Sequence, residues 1–374
     1  MSLSFIDLAA QQARIKKDID ARIAQVLDHG AYISGPEVLD LELALAKRTG
    51  VAHAISCSSG TDALILALLG LGLSPGQGVI VPSFTFAASA EAMPVLGAIP
   101  VFAEVDSETF NLDPDGLPAA LSAAKSQNIE VVGIISVGLF GQPADITRIS
   151  AFAETHGLWL LDDAAQSFGS TWKGQKTGTF GHVTATSFFP AKPLGCYGDG
   201  GAIFTSDDKI AEIAKSCRVH GQGRDKYENE RIGMTARLDT IQAAILLSKL
   251  TIFTDELDAR QYCAERYQAL LGNQVATPSL SPDATSSWAQ YVIKLPKGTN
   301  RQAVQDHMKK KGVPTAVYYP RPMHTQPPYL HFPVAEGGLG VTEKLASSVL
   351  ALPMHPYLTE DQQQQVADAL ISSL

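Results

Sequence analysis

From about residue 52 to residue 218, short apolar runs alternate with segments that carry helical spacing, and few architectures satisfy that alternation. Residues 52–57, 78–81, 100–105, 130–137 and 158–162 read as strands, and 183–188 and 202–205 are further short apolar runs. Residues 61–69, 87–96 and 146–157 read as the intervening helices, with a further helix over 207–218 capped by Ser206. Strands separated by helices of about 10–15 residues imply βαβ units and a mostly parallel, buried sheet. Upstream, Ile15, Ile19 and Ile23 recur at i+4 and Gly30 ends the pattern, so the chain begins with a helix. Ser34-Gly35-Pro36 is a turn, and a second amphipathic helix spans about 37–48 with Gly50 as its stop. Beyond about residue 250 the pattern changes. Residues 254–271 form a long polar helix, 288–295 alternate as a half-exposed strand, and 301–311 are helical, with Pro-rich loops at 314–328 and 353–356. The expectation is α/β: a large mostly parallel-sheet domain over 1–250, including the N-terminal helical segment, and a small α+β C-terminal domain over 251–374.

Composition narrows the function classes. A chain of 374 residues with 45% hydrophobic and 18% charged residues can bury a sizeable core. Its net charge of −9, without a basic cluster, argues against nucleic acid as the main partner. The four cysteines, Cys57, Cys196, Cys217 and Cys263, match no CxxC or zinc spacing and read as buried thiols of a reducing compartment. No metal site is expected. The N-terminal residues show no signal-peptide pattern, and no apolar run approaches the ~20 residues of a membrane span. The expected location is cytoplasmic, without membrane insertion.

Four short segments carry candidate chemistry. Ser59-Gly60-Thr61 follows a strand and opens a helix, where free backbone N–H groups attract phosphate, although Gly-Thr also serves as a plain cap. Phe84 and Phe86 follow a strand end, where α/β sheets bind ligands, and either could equally be core. Asp162-Asp163 close an apolar strand, and a carboxylate there could cap a helix, hold a metal or pair with a protonated pyridine nitrogen. Lys192 stands between a strand and a Gly-rich turn. An exposed loop lysine would be unremarked, but one in an apolar pocket has a lowered pKa and can form a Schiff base. Taken together, an anion turn, an aromatic, a strand-end carboxylate and an amine are the parts that a pyridoxal 5′-phosphate site requires.

The order and wording of these segments resemble the nucleotide-sugar (ketosugar) aminotransferases, the DegT-type branch of the fold type I pyridoxal phosphate enzymes. The resemblance runs from Phe5-Ile6-Asp7-Leu8 through Gly35-Pro36-Glu37 to Leu352-Pro353-Met354-His355-Pro356. It is sharpest in Asp162-Asp163-Ala164-Ala165-Gln166 and in the block from Ser187 to Gly201. The resemblance implies the aspartate aminotransferase-like fold. It implies Lys192 as the cofactor-bearing catalytic amine, Asp163 at the pyridine nitrogen, Gln166 at the ring hydroxyl and Phe86 stacked on the ring. Gly60, Thr61 and Ser187 would hold the phosphate. It also implies a homodimer with shared active sites, because Leu238-Asp239-Thr240-Ile241-Gln242 matches a dimer-side motif and Arg237 just before it would reach the partner's site. Thr235 departs from the Asn usual two residues before that Arg, which puts one cross-subunit phosphate contact in question.

Residues 187–201 and 236–239 look most similar to enzymes that aminate the 3-keto group of a UDP-linked N-acetyl-hexosaminuronic acid for bacterial lipopolysaccharide and O-antigen. Arg binds carboxylates bidentately, so Arg237 would hold the uronate unless it makes a structural contact with Asp239 or a helix end. Tyr318 and Tyr319 would contact the sugar or its diphosphate, whereas His324 and His355 read as structural or as supports behind the contacting residues. The implied reaction is ping-pong: glutamate leaves its amino group as pyridoxamine phosphate, and the UDP-keto-sugar collects it, with Lys192 moving the proton. The alternatives are amination at C4 or of a neutral deoxysugar, a dehydratase, which relatives mark with His in place of this lysine, and a non-catalytic cofactor-bound sensor.

Overall fold

The computed structural model describes residues 3–225, 227–272 and 274–374. Its strands are β1 (His53–Cys57), β2 (Gly78–Pro82), β3 (Ile99–Ala103), β4 (Val131–Val137), β5 (Trp159–Asp163), β6 (Thr171–Trp172), β7 (Gln175–Lys176), β8 (Val183–Ser187), β9 (Gly201–Thr205), β10 (Tyr291–Lys294) and β11 (Val349–Leu352). Its longer helices are α1 (Leu8–His29), α2 (Pro36–Thr49), α3 (Gly60–Gly70), α4 (Ala87–Val95), α5 (Leu117–Ser126) and α6 (Ile146–His156). They continue with α7 (Asp208–Cys217), α8 (Thr240–Leu250), α9 (Phe253–Leu271), α10 (Arg301–Lys310), α11 (Gly340–Ser348) and α12 (Glu360–Ile371).

Seven strands form the main sheet in the order β1-β9-β8-β5-β4-β2-β3. The pairs from β8 through β5, β4 and β2 to β3 are parallel. Strand β9 is antiparallel to both of its neighbours, so β1 beyond it again runs with the rest. The expected mostly parallel sheet is therefore present. Its strands are apolar on both faces because helices cover both, and Ile80, Val101, Ile134, Leu161 and Ile203 have no exposed surface. Burying each such side chain contributes about 1.5–3 kcal/mol. The shared direction brings Cys57, Pro82, Val137, Asp163 and Ser187 to one edge, and Gly201 pairs with both Cys57 and Ser187 there.

Helix α1 starts where the Asp7 carboxylate accepts the Ala10 N–H at 2.9 Å. It stops at Gly30, whose left-handed φ of 68° a side chain would resist. Helix α7 departs from expectation: its cap is Asp207, which accepts the N–H groups of Lys209 and Ile210, whereas the Ser206 hydroxyl takes the Ala52 N–H. A carboxylate placed at the helix start outcompetes the neighbouring hydroxyl, because it accepts two bonds and also meets the positive end of the helix dipole.

Strands β10 and β11 pair antiparallel in a separate two-stranded sheet. The expected half-exposure of this segment is overturned, since Tyr291, Val292 and Ile293 are all buried. Alternation here separates two apolar surroundings instead of core from water. Val292 joins the core of the main sheet, while Tyr291 and Ile293 join a second core built with α9, α10 and α12. Leu3 also enters that second core, and the Met354 N–H donates to the Phe5 carbonyl at 3.3 Å.

Candidate active site

The loops leaving the common sheet edge enclose a cavity of about 420 Å³. Gly60, Thr61, Phe86, Asp163, Gln166, Ser187, Lys192, Tyr318 and Tyr319 all line it, while Arg237 does not.

One end of the cavity is the start of α3. The Ser59 hydroxyl caps the helix by accepting the Asp62 N–H at 3.0 Å, and Ser58 ties back the Asp62 carboxylate. The N–H groups of Gly60 and Thr61 lie in the first turn, where a helix has no internal acceptor for them. A Cβ on Gly60 would sit 2.6 Å from the Ser187 Cβ, so only glycine lets helix and strand close to this distance. Together with the Ser187 hydroxyl, these groups make an anion cradle.

Across the cavity, Asp163 ends β5 with 4% of its surface exposed. Its Oδ2 accepts the Ser89 hydroxyl at 2.7 Å and its Oδ1 the Ala165 N–H at 3.1 Å. Burial pushes this carboxyl up, and the Ser89 hydroxyl, the Ala165 N–H and the Lys192 charge oppose that rise. Burial likewise lowers the Lys192 amine, against the pull of Asp163. Its neighbour Asp162 points to the other face of the sheet, accepts the Ser136 hydroxyl at 2.9 Å, and is pushed up to about 7, chiefly by burial.

The lysine loop is held from two sides. Lys192 N donates to the Phe189 carbonyl at 2.8 Å, and the Gln242 side chain of α8 accepts the Tyr197 N–H at 2.8 Å. Gln166 is oriented by the Phe140 N–H, which donates to its Oε1 at 2.7 Å, so its amide group turns to Tyr319. Of the two candidate aromatics, Phe84 is core at 1% exposure and Phe86 shows 52% of its surface. The Phe86 ring lies 6.1 Å from that of Tyr319, and Tyr318 is backed edge-on by Phe5.

Arg237 is half-buried, its Nε has no partner, and among the described residues it makes no ion pair, with Asp239 or any other acid. Thr235 is exposed and its hydroxyl meets His220 Nε2 at 2.6 Å. His324 Nδ1 lies 2.7 Å from the Ser83 hydroxyl, His355 is buried, and neither lines the cavity. All four cysteines are free and buried. Among the described residues no helix is long and apolar enough to cross a membrane. Thr85 and Ser89, missed in the sequence, also line the cavity.

The cradle, the carboxylate, the exposed aromatic face and the amine fit the phosphate, ring nitrogen, ring face and aldehyde of pyridoxal phosphate. Comparison with known proteins agrees. The family model described as the DegT/DnrJ/EryC1/StrS aminotransferase family matches residues 13–371. A Pseudomonas aeruginosa UDP-2-acetamido-2-deoxy-3-oxo-D-glucuronate aminotransferase is 47% identical, over 95% of this chain and 96% of its own. A Geobacillus stearothermophilus pleiotropic regulatory protein is 38% identical, over 99% of this chain and 98% of its own. The crystal structure of a DegT DnrJ EryC1 StrS aminotransferase from Brucella abortus superposes with a TM-score of 0.96 at 47% identity, covering 98% of each chain. NtdA from Bacillus subtilis, solved with bound cofactor PMP, superposes with a TM-score of 0.91 at 29% identity, covering 100% of this chain and 85% of its own.

Proposed function

The chain belongs to the DegT/DnrJ/EryC1/StrS aminotransferase family, and on that basis we propose that it carries pyridoxal 5′-phosphate on Lys192 and transfers an amino group from glutamate to C3 of a UDP-linked 3-keto-N-acetyl-hexosaminuronic acid. The observation that carries the cofactor reading is the single cavity onto which Lys192, Asp163 and the Gly60–Ser187 cradle all open. The likeness to the Pseudomonas enzyme supports the sugar. A bacterial lipopolysaccharide pathway and a cytoplasmic location belong to the same reading.

When bound, the cofactor supplies an aldehyde for condensation with amines and a ring that draws electrons from the carbon losing its proton. The chain's own residues do the rest. The N–H groups of Gly60 and Thr61 and the Ser187 hydroxyl bind the phosphate. The Asp163 carboxylate keeps a proton on the ring nitrogen. Gln166 has one amide N–H left for the ring hydroxyl after its bond to Tyr319. Phe86 covers one face of the ring. Lys192, its amine lowered by burial, would be placed to take up and return the proton that the substrate carbon loses. Tyr318 and Tyr319 border the space left for the sugar.

Arg237 would hold the uronate carboxylate in the site of a second copy, which suits a guanidinium that has no acid of its own. A homodimer is supported by the exposed apolar side chains Leu39 and Leu43 on α2 and Ile232 near Arg237. The Thr235 hydroxyl is engaged with His220, so in this reading it adds little to a cross-subunit phosphate contact. The proposed division is a cofactor-binding unit over 1–250 and a smaller unit over 251–374; the second core draws mainly on the latter, and both β10 and β11 contribute side chains to each core.

The test is the absorbance spectrum of the purified protein before and after glutamate, followed by turnover of the UDP-3-keto-uronate by wild type, Arg237→Ala and Arg237→Lys. Conversion of the bound cofactor by glutamate establishes the donor half. Binding without conversion supports a regulatory role. A kcat/KM for the uronate that neither Arg237 variant lowers rejects the uronate reading.

A further inference from the structure

Two hydroxyl groups stand behind Asp163 in a row. Ser89 Oγ lies 2.7 Å from Asp163 Oδ2, and Thr85 Oγ1 lies 3.0 Å from Ser89 Oγ. Thr85 is 2% exposed and Ser89 1%, one turn apart at the start of α4. The direction of the bonds follows from the donor inventory. A carboxylate only accepts, so the one Ser89 proton points at Asp163, and Thr85 must then supply the proton between the two hydroxyls. The row runs Thr85 to Ser89 to Asp163, and it is satisfied in that order when Asp163 is ionised.

We infer that Thr85 and Ser89 form a one-way hydroxyl chain that holds Asp163 as a carboxylate and fixes its orientation toward the cofactor ring, which makes Ser89 a positioning residue for the ring nitrogen. The inference rests on the reading that Asp163 meets that nitrogen. The need for such support is plain from the surroundings. Lys192 is the charged group that faces Asp163, and it favours the carboxylate; the ionised Asp163 in turn raises the adjacent Asp162 and the Tyr319 hydroxyl, favouring the protonated form of each. Burial opposes the charge most, and the Ser89 hydroxyl is the largest influence in its favour. A hydrogen bond to a buried charged group is strong enough to decide the protonation state. Sequence alone hides the arrangement, because a serine and a threonine near a helix start read as capping residues.

The experiment measures pyridoxal phosphate affinity from pH 5.5 to 8.5, by quenching of intrinsic fluorescence, in wild type, Ser89→Ala, Ser89→Thr, Thr85→Val and Asp163→Asn. Wild type should bind with little pH dependence from this carboxyl. Ser89→Ala should bind about tenfold or more weakly, with affinity falling further as pH drops, because its Asp163 takes up a proton within the range. Ser89→Thr should restore both affinity and profile. Thr85→Val should show a smaller loss of the same kind, and it carries the test should Ser89→Ala not fold. Asp163→Asn should bind weakly at every pH. Wild-type affinity and profile in both Ser89→Ala and Thr85→Val would overturn the inference while leaving the role of Asp163 intact. Wild-type affinity in Asp163→Asn, or no uptake by wild type, would instead overturn the reading beneath it.

Discussion

The Gln166 amide nitrogen donates to the Tyr319 hydroxyl at 3.1 Å, joining the loop after β5 to a residue more than 150 positions later. Tyr319 is half-buried, and its ring contacts those of Phe84, Phe86 and Tyr318. Tyr319→Phe keeps the packing and leaves the Gln166 amide without that acceptor. The expected cost is about 1–2 kcal/mol in cofactor affinity. Equilibrium dialysis of the cofactor checks this, and unchanged binding would make the bond incidental.

Gly60→Ala should weaken cofactor binding more sharply than its size suggests. The added methyl meets the Ser187 Cβ at 2.6 Å, so helix start and strand end must part by several tenths of an ångström. Overpacking of this kind costs about 1–3 kcal/mol, and here it falls on the cradle itself. Gly340→Ala, at a site with nothing within 4 Å, is the control and should bind as wild type does.

Two buried groups give the apoprotein opposing pH dependences. Asp162 is raised to about 7 in the fold, so between pH 4 and 7 the folded chain holds a proton that the unfolded chain has lost. Its contribution to stability falls as pH rises through that window, by on the order of 4 kcal/mol. His355 is lowered to about 4, chiefly by burial and then by Arg260. The unfolded chain binds that proton first, so stability falls as pH drops from about 6.5 to 4, by on the order of 3 kcal/mol. The two windows overlap between about pH 4 and 6.5, so their slopes largely cancel there in wild type. In urea titrations at pH 4.5, 6 and 8, Asp162→Asn should unmask stability that rises with pH, and His355→Phe stability that falls with it. A variant that shifts all three values equally would contradict its assignment.

Glu42 and Arg218 should prove costly to separate. Arg218 Nη1 reaches Glu42 Oε1 at 2.6 Å and the Ser56 carbonyl at 2.7 Å, and the same carboxylate oxygen accepts the Ser56 N–H at 2.9 Å. With the side chains 17% and 13% exposed, Arg218→Ala leaves a carboxylate poorly solvated. The expected loss is about 3 kcal/mol in unfolding free energy, with the Glu42→Ala/Arg218→Ala pair losing less than the sum.

How much of this could be read without coordinates depends on how local each signal was. The strands of the main sheet were legible because both of their faces are apolar, so runs such as 78–81 and 130–137 needed no partner to be recognised. Lys192, Asp163 and Gly60 were legible because each follows a strand end. Helix α5 went unread, since its alanines and serines show little contrast between faces. Strand β11 went unread because four apolar residues before Pro353 do not distinguish strand from loop. The burial of β10 could not be foreseen, because alternation looks the same whether the second face meets water or another core. The Thr85–Ser89–Asp163 row joins residues 74 positions apart, and no spacing rule reaches that far.

Strand β9 fills the gap between β1 and β8 and, among the described residues, is the only sheet partner of β1. A ribosome delivers β1 and the start of α3 some 140 residues before β9 emerges. Until Gly201–Thr205 leaves the exit tunnel, nothing in the sheet anchors Cys57 beside Ser187. The nascent polypeptide can therefore display Lys192 and Asp163 while its phosphate cradle is still open. If the proposed function holds, vitamin capture during synthesis must wait for a segment that lies outside the cavity lining, and a chain arrested before residue 201 should emerge colourless.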